Sequence, residues 1–372
     1  MLRQRFRFAL SAILTTLGMV FMLPTVARGT STYKLLYAFK GADGSGPSAG
    51  LVFDRAGNLY GTTTWGGANG GGTVFKLSPN SDGSWTETVL YSFCSLTSCA
   101  DGESPSSGLI LDMSGSLYGT TYAGGNTNCG GGCGTVFMLH PNSNGSWTES
   151  VLHYFCSLAN CADGQSPSGG LTFDTTGNLY GTAGGGASGY GVVFRLVPNS
   201  NGSWKESILH NFCSLKNCVD GWGPSAGLTF DTSGNLYGTT YRGGACSAIS
   251  VGCGVVFKMT PNSDGTWKES VIHFFQGHPA AQPAVGPTFD PAGNLYGTTL
   301  DFDISSNRGT VFRLAPTVGG GGTYNVVHVF HGTPASDPEG DLVFDQAGNL
   351  YGTAHDCQKP YNCEGVVYEL LP

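Results

Sequence analysis

One phrase occurs six times in this chain, and it decides most of what the chain can fold into. It reads LVFDRAGNLYGTT from Leu51, LILDMSGSLYGTT from Leu109, LTFDTTGNLYGT from Leu171, LTFDTSGNLYGTT from Leu228, PTFDPAGNLYGTT from Pro287 and LVFDQAGNLYGT from Leu342. Its aspartates, Asp54, Asp112, Asp174, Asp231, Asp290 and Asp345, lie 58, 62, 57, 59 and 55 residues apart. A fixed period of this length marks a repeat architecture, in which each unit buries its apolar face against its neighbours. With 60 glycines and 18 prolines in 372 residues, a long helical repeat would be broken again and again. Disorder is excluded as well, because 12% of the residues are aromatic and only 11% are charged.

Each unit reads as four strands. Strand a is the apolar run ending in the repeated aspartate, and strand b is NLYGTT, with D-x-x-G-N between them as a tight hairpin turn. Strand c is GTVFKLSP from Gly72, echoed as GVVFRL from Gly191, GVVFKM from Gly254 and GVVYEL from Gly365. Strand d alternates: in WTETVLYSF, Trp85, Glu87, Val89, Tyr91 and Phe93 share one side. The strand count then selects the architecture. A lone d-type strand, Thr32 to Phe39, precedes five complete units, and the sixth stops after strand c. One N-terminal and three C-terminal strands would complete a sixth sheet, so the expected fold is an all-β, six-bladed β-propeller. A linear β-solenoid is the rival, but it would have no reason to split its last unit.

The blade pattern resembles that of NHL-type propellers. More closely, GLVFDxxGNLYGTT followed by GxVFKL and VLYSF is similar to the GloVer tandem repeat of exported bacterial choice-of-anchor proteins, over residues 32–372. That resemblance implies a propeller-like exported protein of unassigned function, with no catalytic residues to carry over. Members often carry a C-terminal sorting segment, whereas this chain ends on GVVYELLP.

Residues 1–29 read as a secretory signal peptide: Arg3, Arg5 and Arg7, an apolar run from Phe8 to Leu23, and a small-residue cleavage site at Ala27 or Gly29. A retained anchor is the alternative, but the run is short for a bilayer span and stops at Pro24. Residues 30–372 are then one propeller domain, secreted or held in the periplasm or cell envelope. The formal net charge is −8, and losing the leader makes the remainder more acidic. No basic cluster is left to hold phosphates, which argues against nucleic acid and anionic membranes as partners. A monomer with no membrane span in its mature form is expected.

Twelve cysteines fall into six close pairs: Cys94/Cys99, Cys129/Cys133, Cys156/Cys161, Cys213/Cys218, Cys246/Cys253 and Cys357/Cys363. Three pairs sit in d–a loops of the form FCSLxxCxDG and three in b–c loops. In an exported chain such pairs read as short structural disulfides. Zinc ligation is the competing reading of C-x3-C and C-x4-C, and would need two pairs brought together from different blades. Both loop types should emerge on one face of the propeller, the default binding face.

Most candidate chemical groups sit in repeat columns. His153, His210, His273 and His328 occupy a column that holds Tyr37 and Tyr91 in other copies, which points to packing on an outer strand. The repeated aspartates should bond their own turns, and calcium is the one ion they would suit. Trp85, Trp147, Trp204 and Trp267 share the start of strand d. Gly61, Gly119, Gly181, Gly238, Gly297 and Gly352 lie inside strand b, where recurrence signals close packing or a bulge.

Function should show where the repeat breaks its own pattern. Trp65, Tyr122, Trp222 and Tyr241 are off-register aromatics beside glycine-rich loops, suited to stacking on sugar rings or a peptide. Asp301, Asp303, His355 and Asp356 in the last two b–c loops, with Asp341 in place of the glycine opening strand a, would make an acidic patch. Such a patch suits calcium or acid–base chemistry. No cofactor motif, P-loop, zinc motif or Ser-His-Asp order is present. The sequence therefore favours a binding or interaction module for a glycan or protein surface. A propeller hydrolase or lactonase with a calcium-type site is the enzymatic alternative, and a purely structural envelope protein the third.

Overall fold

The computed structural model describes residues 35–47, 49–246, 252–277, 280–300, 308–316, 322–332, 336–359 and 362–371, with backbone alone at 355–359 and 362–365. The chain divides into two units, residues 1–36 and 37–372. Of the first, only Leu35 and Leu36 are described, and neither lies in a strand. The second holds six antiparallel sheets in chain order, five of four strands and a last one of three. It is the six-bladed propeller that the strand count requires.

In blade 1, strands a to d are Val52–Phe53, Leu59–Thr63, Thr73–Pro79 and Trp85–Ser92. Blades 2 to 5 repeat these lengths, and blade 6 has longer strands b and c. Strands b and c are buried on both faces, and strand d is half-buried with exposed polar residues on its outer side. A register shift between Val74 and Phe75 against strand d recurs in blades 2 to 5. The strand-b glycine is explained by the ring above it. A Cβ on Gly61 would lie 2.7 Å from Phe75 Cζ and 2.6 Å from Leu51 Cδ2, so no larger residue fits beneath that phenylalanine.

Two sets of contacts lock neighbouring blades together. The phenylalanine ending strand d packs edge-on against the strand-c aromatic of the next blade. These pairs are Phe93–Phe137, Phe155–Phe194, Phe212–Phe257, Phe275–Phe312 and Phe330–Tyr368, all with centroids 5.0 to 5.3 Å apart. Nearer the axis, the threonine after the strand-b glycine donates across the seam in four blades. Thr62 bonds the carbonyl of Ser107, Thr182 that of Ala226, Thr239 that of Val285 and Thr298 that of Pro338, at 2.8 to 3.3 Å.

The sixth sheet consists of Val343–Phe344, Leu350–Lys359 and Asn362–Leu370. Of the N-terminal strand expected to join it, Thr32 to Lys34 lie outside the described residues, and Tyr37–Lys40 carries no ladder. Phe39 nevertheless takes the column of the strand-d phenylalanine. Its ring meets Phe75 of blade 1 at 4.8 Å, continuing the same edge-on series from the last seam to the first blade.

Candidate functional site

The b–c and d–a loops emerge at one end of the blades and are tied to each other there. Backbone bridges join Ser45 to Trp65, Glu103 to Ala123, Gln165 to Gly184 and Trp222 to Arg242. Disulfides Cys94–Cys99, Cys156–Cys161 and Cys213–Cys218 close the d–a loops, and Cys129–Cys133 and Cys246–Cys253 close b–c loops. Cys357 and Cys363 face each other in their ladder, and their side chains lie outside the described residues. The zinc alternative assumed pairs from different blades. Blade 2 instead brings two of its own together: the sulfurs of Cys129, Cys133, Cys156 and Cys161 all lie within 4.8 Å of one another, closed as two disulfides.

A second device fixes the d–a loops, one that sequence reasoning passed over. The aspartate of FCSLxxCxDG is fully buried as Asp101, Asp163 and Asp220. In each loop it accepts the backbone N–H of the residue after the first cysteine, together with that serine's hydroxyl. For Asp163 both bonds, from Ser157, are 2.7 Å long, and Leu158 N–H reaches its other oxygen at 3.2 Å. The aspartate recurs three times with the cysteines, which was the available signal.

On this rigid rim stand the off-register aromatics. Trp65 is 61% exposed and Tyr122 50%. The Trp65 ring rests on backbone, since a Cβ on Gly46 would fall 2.7 Å from its Cε3. Trp222 and Tyr241 are half-buried and clasp a cation: the Arg242 guanidinium lies 5.1 Å from the Trp222 ring and 5.5 Å from the Tyr241 ring. Arg242 Nε has no hydrogen-bond partner. Tyr190, from the preceding blade, meets Trp222 edge-on at 5.5 Å. Tyr190 and Arg242 were missed because each stands in a column that is glycine or variable elsewhere. Only their position beside Trp222 gives them a role.

The axis of the ring is a channel of about 710 Å³, lined by the start of strand a from all six blades. A belt of glycines, Gly50, Gly108, Gly170, Gly227 and Gly286, lets neighbouring backbones meet there; a Cβ on Gly286 would lie 2.7 Å from the Gly227 carbonyl oxygen. Asp341 takes the sixth place, its Oδ2 reaching toward Gly50 of blade 1. Its side chain is open to the channel but ringed by protein, and that desolvation pushes its carboxyl above the usual range. Glu339, two residues earlier and also on the wall, stands in a column that is serine in blades 1 to 4. The expected acidic patch is therefore only partly described. Asp341 is in the channel, the side chains of His355 and Asp356 are not described, and Asp301 and Asp303 lie outside the described residues.

The repeat columns behave as structural parts. His153, His210, His273 and His328, like Tyr37 and Tyr91, each meet the phenylalanine two residues on edge-on, at 4.7 to 5.2 Å. Each turn aspartate is occupied by its own hairpin. Asp54 accepts from the N–H groups of Ala56 and Asn58, from the Asn58 amide and from Tyr60 Oη.

The sequence matches the Gloeobacter/Verrucomicrobia repeat over residues 9–251, and no curated protein matches it. Among solved structures, the fold is similar to that of PorZ, an essential bacterial surface component of the type-IX secretion system of Porphyromonas gingivalis. That likeness has a TM-score of 0.51 and 11% identity over 88% of this chain and 42% of the other, so this chain spans less than half of that relative's length. A protein of unknown function from Dyadobacter fermentans has a TM-score of 0.47 at 12% identity, over 85% of this chain and 92% of that one. An endo-arabinanase from Bacillus licheniformis has 0.40 at 12%, over 77% and 99%. At such identities the likeness is one of fold, whereas the repeat match covers more than half of the sequence: the chain belongs to the Gloeobacter/Verrucomicrobia repeat family.

Proposed function

We propose that this chain is an exported binding propeller that recognises glycans through its loop face. The observation that carries the reading is the set of exposed or half-exposed rings on that one face, Trp65, Tyr122 and Tyr190, beside the Trp222–Arg242–Tyr241 stack. Flat rings held by a rigid frame bind sugar faces with little entropy loss. The Arg242 guanidinium, held between the Trp222 and Tyr241 rings, adds a fixed positive charge at the same place. Export is supported by five disulfides among the described residues, which persist in oxidising compartments. No helix among the described residues is long and apolar enough to cross a membrane. PorZ, similar in fold, is a surface component. Among the described residues, the carboxylates on the channel wall are Glu339 and Asp341, both from blade 6.

The test is a glycan array probed with the oxidised protein, with and without calcium, beside Trp65→Ala/Tyr122→Ala. Both rings project into solvent, so the double variant should keep its stability to within about 0.5 kcal/mol per site and lose binding. No glycan bound under either condition, or binding indifferent to the loss of both rings, refutes the reading.

A further inference from the structure

Between neighbouring blades runs a buried polar seam whose members change from copy to copy. It combines the Tyr/His column of strand d, the loop aspartate that follows, and a glutamate from strand d of the next blade. At the seam after blade 1, Tyr91 Oη donates to Asp101 at 2.8 Å, so phenol and carboxylate satisfy each other. At the seam after blade 2 the phenol is replaced by an imidazole. His153 Nε2 lies 3.8 Å from Asp163 Oδ2 and 3.5 Å from Glu206 Oε1, too far for hydrogen bonds. Both His153 Nε2 and Glu206 Oε1 are shut off from solvent without a partner. Their side chains are 12% and 11% exposed, and that of Asp163 is fully buried.

We propose that His153 Nε2, Asp163 Oδ2 and Glu206 Oε1 bind one divalent transition-metal ion, with zinc the best match to the ligand set. The three atoms lie within 4.8 Å of one another, and among the described residues this is the one such group that contains an imidazole. Ligands about 2.0–2.2 Å from a tetrahedral zinc stand roughly 3.3 Å apart. Two of the three separations, 3.5 and 3.8 Å, are near that spacing, and the third, between the two carboxylates, is within 4.8 Å. One neutral imidazole and two carboxylates balance a divalent charge. The Asp163 carboxylate is fixed in place by Ser157 N–H and Oγ–H on Oδ2 and by Leu158 N–H on Oδ1.

The protonation states agree with this geometry. Burial pushes His153 down to about 4, opposed by Asp163, so its ring is neutral at pH 7 as a ligand must be. Burial, with Asp163 nearby, pushes Glu206 up to about 8, so its carboxyl holds a proton at pH 7 in the absence of an ion. The repeat supplies its own controls. His210 lies 3.4 Å from Asp220 without a third ligand gathered beside it, and His273 is stacked on Tyr324 at 4.1 Å.

The experiment is calorimetric and optical titration of the chelator-washed, fully oxidised protein with Zn2+ and Co2+. Oxidation matters because it removes Cys129, Cys133, Cys156 and Cys161 as thiolate ligands. The expected result is one equivalent bound and a visible cobalt band. His153→Tyr restores the Tyr91–Asp101 arrangement, so it should fold normally and bind on the order of 100-fold more weakly; His210→Tyr should bind as the parent does. If His153→Tyr does not fold, Glu206→Gln is read in its place, with the same weakening. No saturable binding at millimolar ion, binding that survives in the variant read, equal loss in His210→Tyr, or preference for Ca2+ over Co2+ would overturn the proposal.

Discussion

Asp231, at the a–b turn of blade 4, spends its hydrogen bonds on its own hairpin. It accepts from Ser233 N–H and Asn235 N–H, both at 2.9 Å, from the Asn235 amide at 2.7 Å and from Tyr237 Oη at 3.0 Å. Asp220, one loop earlier, is fully buried and has partners both inside and outside its loop. Besides Ser214 and Leu215 it meets His210 at 3.4 Å and lies close enough to Glu269 of the next strand d to perturb it. The first aspartate is complete within seven residues and recurs in all six copies. The second must match partners on another blade, so its surroundings vary from seam to seam. Where the loop aspartate is missing, after blade 4, the histidine column stacks on an aromatic instead. A local network is copied with its repeat, whereas a seam network is negotiated between two repeats.

The largest effect that separates the two is the loss of either carboxylate. Asp220→Ala removes a fully buried carboxylate that accepts from Ser214 N–H, Ser214 Oγ–H and Leu215 N–H and faces His210, and should cost about 3 kcal/mol. Asp231→Ala opens a part-exposed turn whose donors can turn to water, at about 1 kcal/mol. Urea unfolding of both variants measures the difference. Equal costs would dissolve the distinction between turn and seam.

The two networks also titrate in opposite directions. Burial would raise Asp231, but bonds from Asn235, Tyr237 and Ser233 outweigh it and hold the carboxyl below its usual 3.8. Its contribution is present above that value and fades as pH falls below it. In the seams, burial with help from Asp101, Asp163 and Asp220 pushes Glu149 up to about 7, Glu206 to about 8 and Glu269 to about 7. Folded values above the usual 4.5 mean stability that is full below pH 4.5 and lost as pH rises through 7 to 8. His153, pushed down to about 4, contributes in the other sense: fully above its usual 6.5, and lost as pH falls toward 4. Between pH 6.5 and 8 the glutamates therefore act alone. Metal-free protein should lose stability across that window, on the order of 1 kcal/mol per pH unit. Glu206→Gln should flatten the slope, and Asp231→Ala should leave it untouched while changing the acid limb. A stability that is level or rising from pH 6.5 to 8 would break this account of the seams.

What could be read in the sequence follows the same division. The turn aspartates, the strand-b glycine and the blade count were legible because every partner recurs at a fixed short offset. Trp65 and Tyr122 were legible as departures from the pattern of the b–c loops. The Asp163–Glu206 seam was not, because its members stand 43 residues apart and meet only once strand d of one blade is laid beside that of the next. Glu339 was overlooked for a related reason. Its column becomes the channel wall only when six strand-a starts converge on an axis, and no single copy shows that convergence.

The smallest effect tests whether the d–a loops also obey local rules. Each carries a non-glycine residue in the left-handed region between its cysteines: Ser98 at φ 57°, Asn160 at φ 56° and Asn217 at φ 60°. Asparagine tolerates that conformation better than serine, because its short amide can bond nearby backbone. Ser98→Asn should therefore stabilise the first loop by ~0.5 kcal/mol, and Asn217→Ser should cost the third a similar amount. Both changes leave the buried Asp101 and Asp220 in place, so chemical unfolding reads the backbone preference alone. If both are neutral, the disulfide and the buried aspartate already fix the loop, and the residue between the cysteines is free to vary with whatever the loop face contacts.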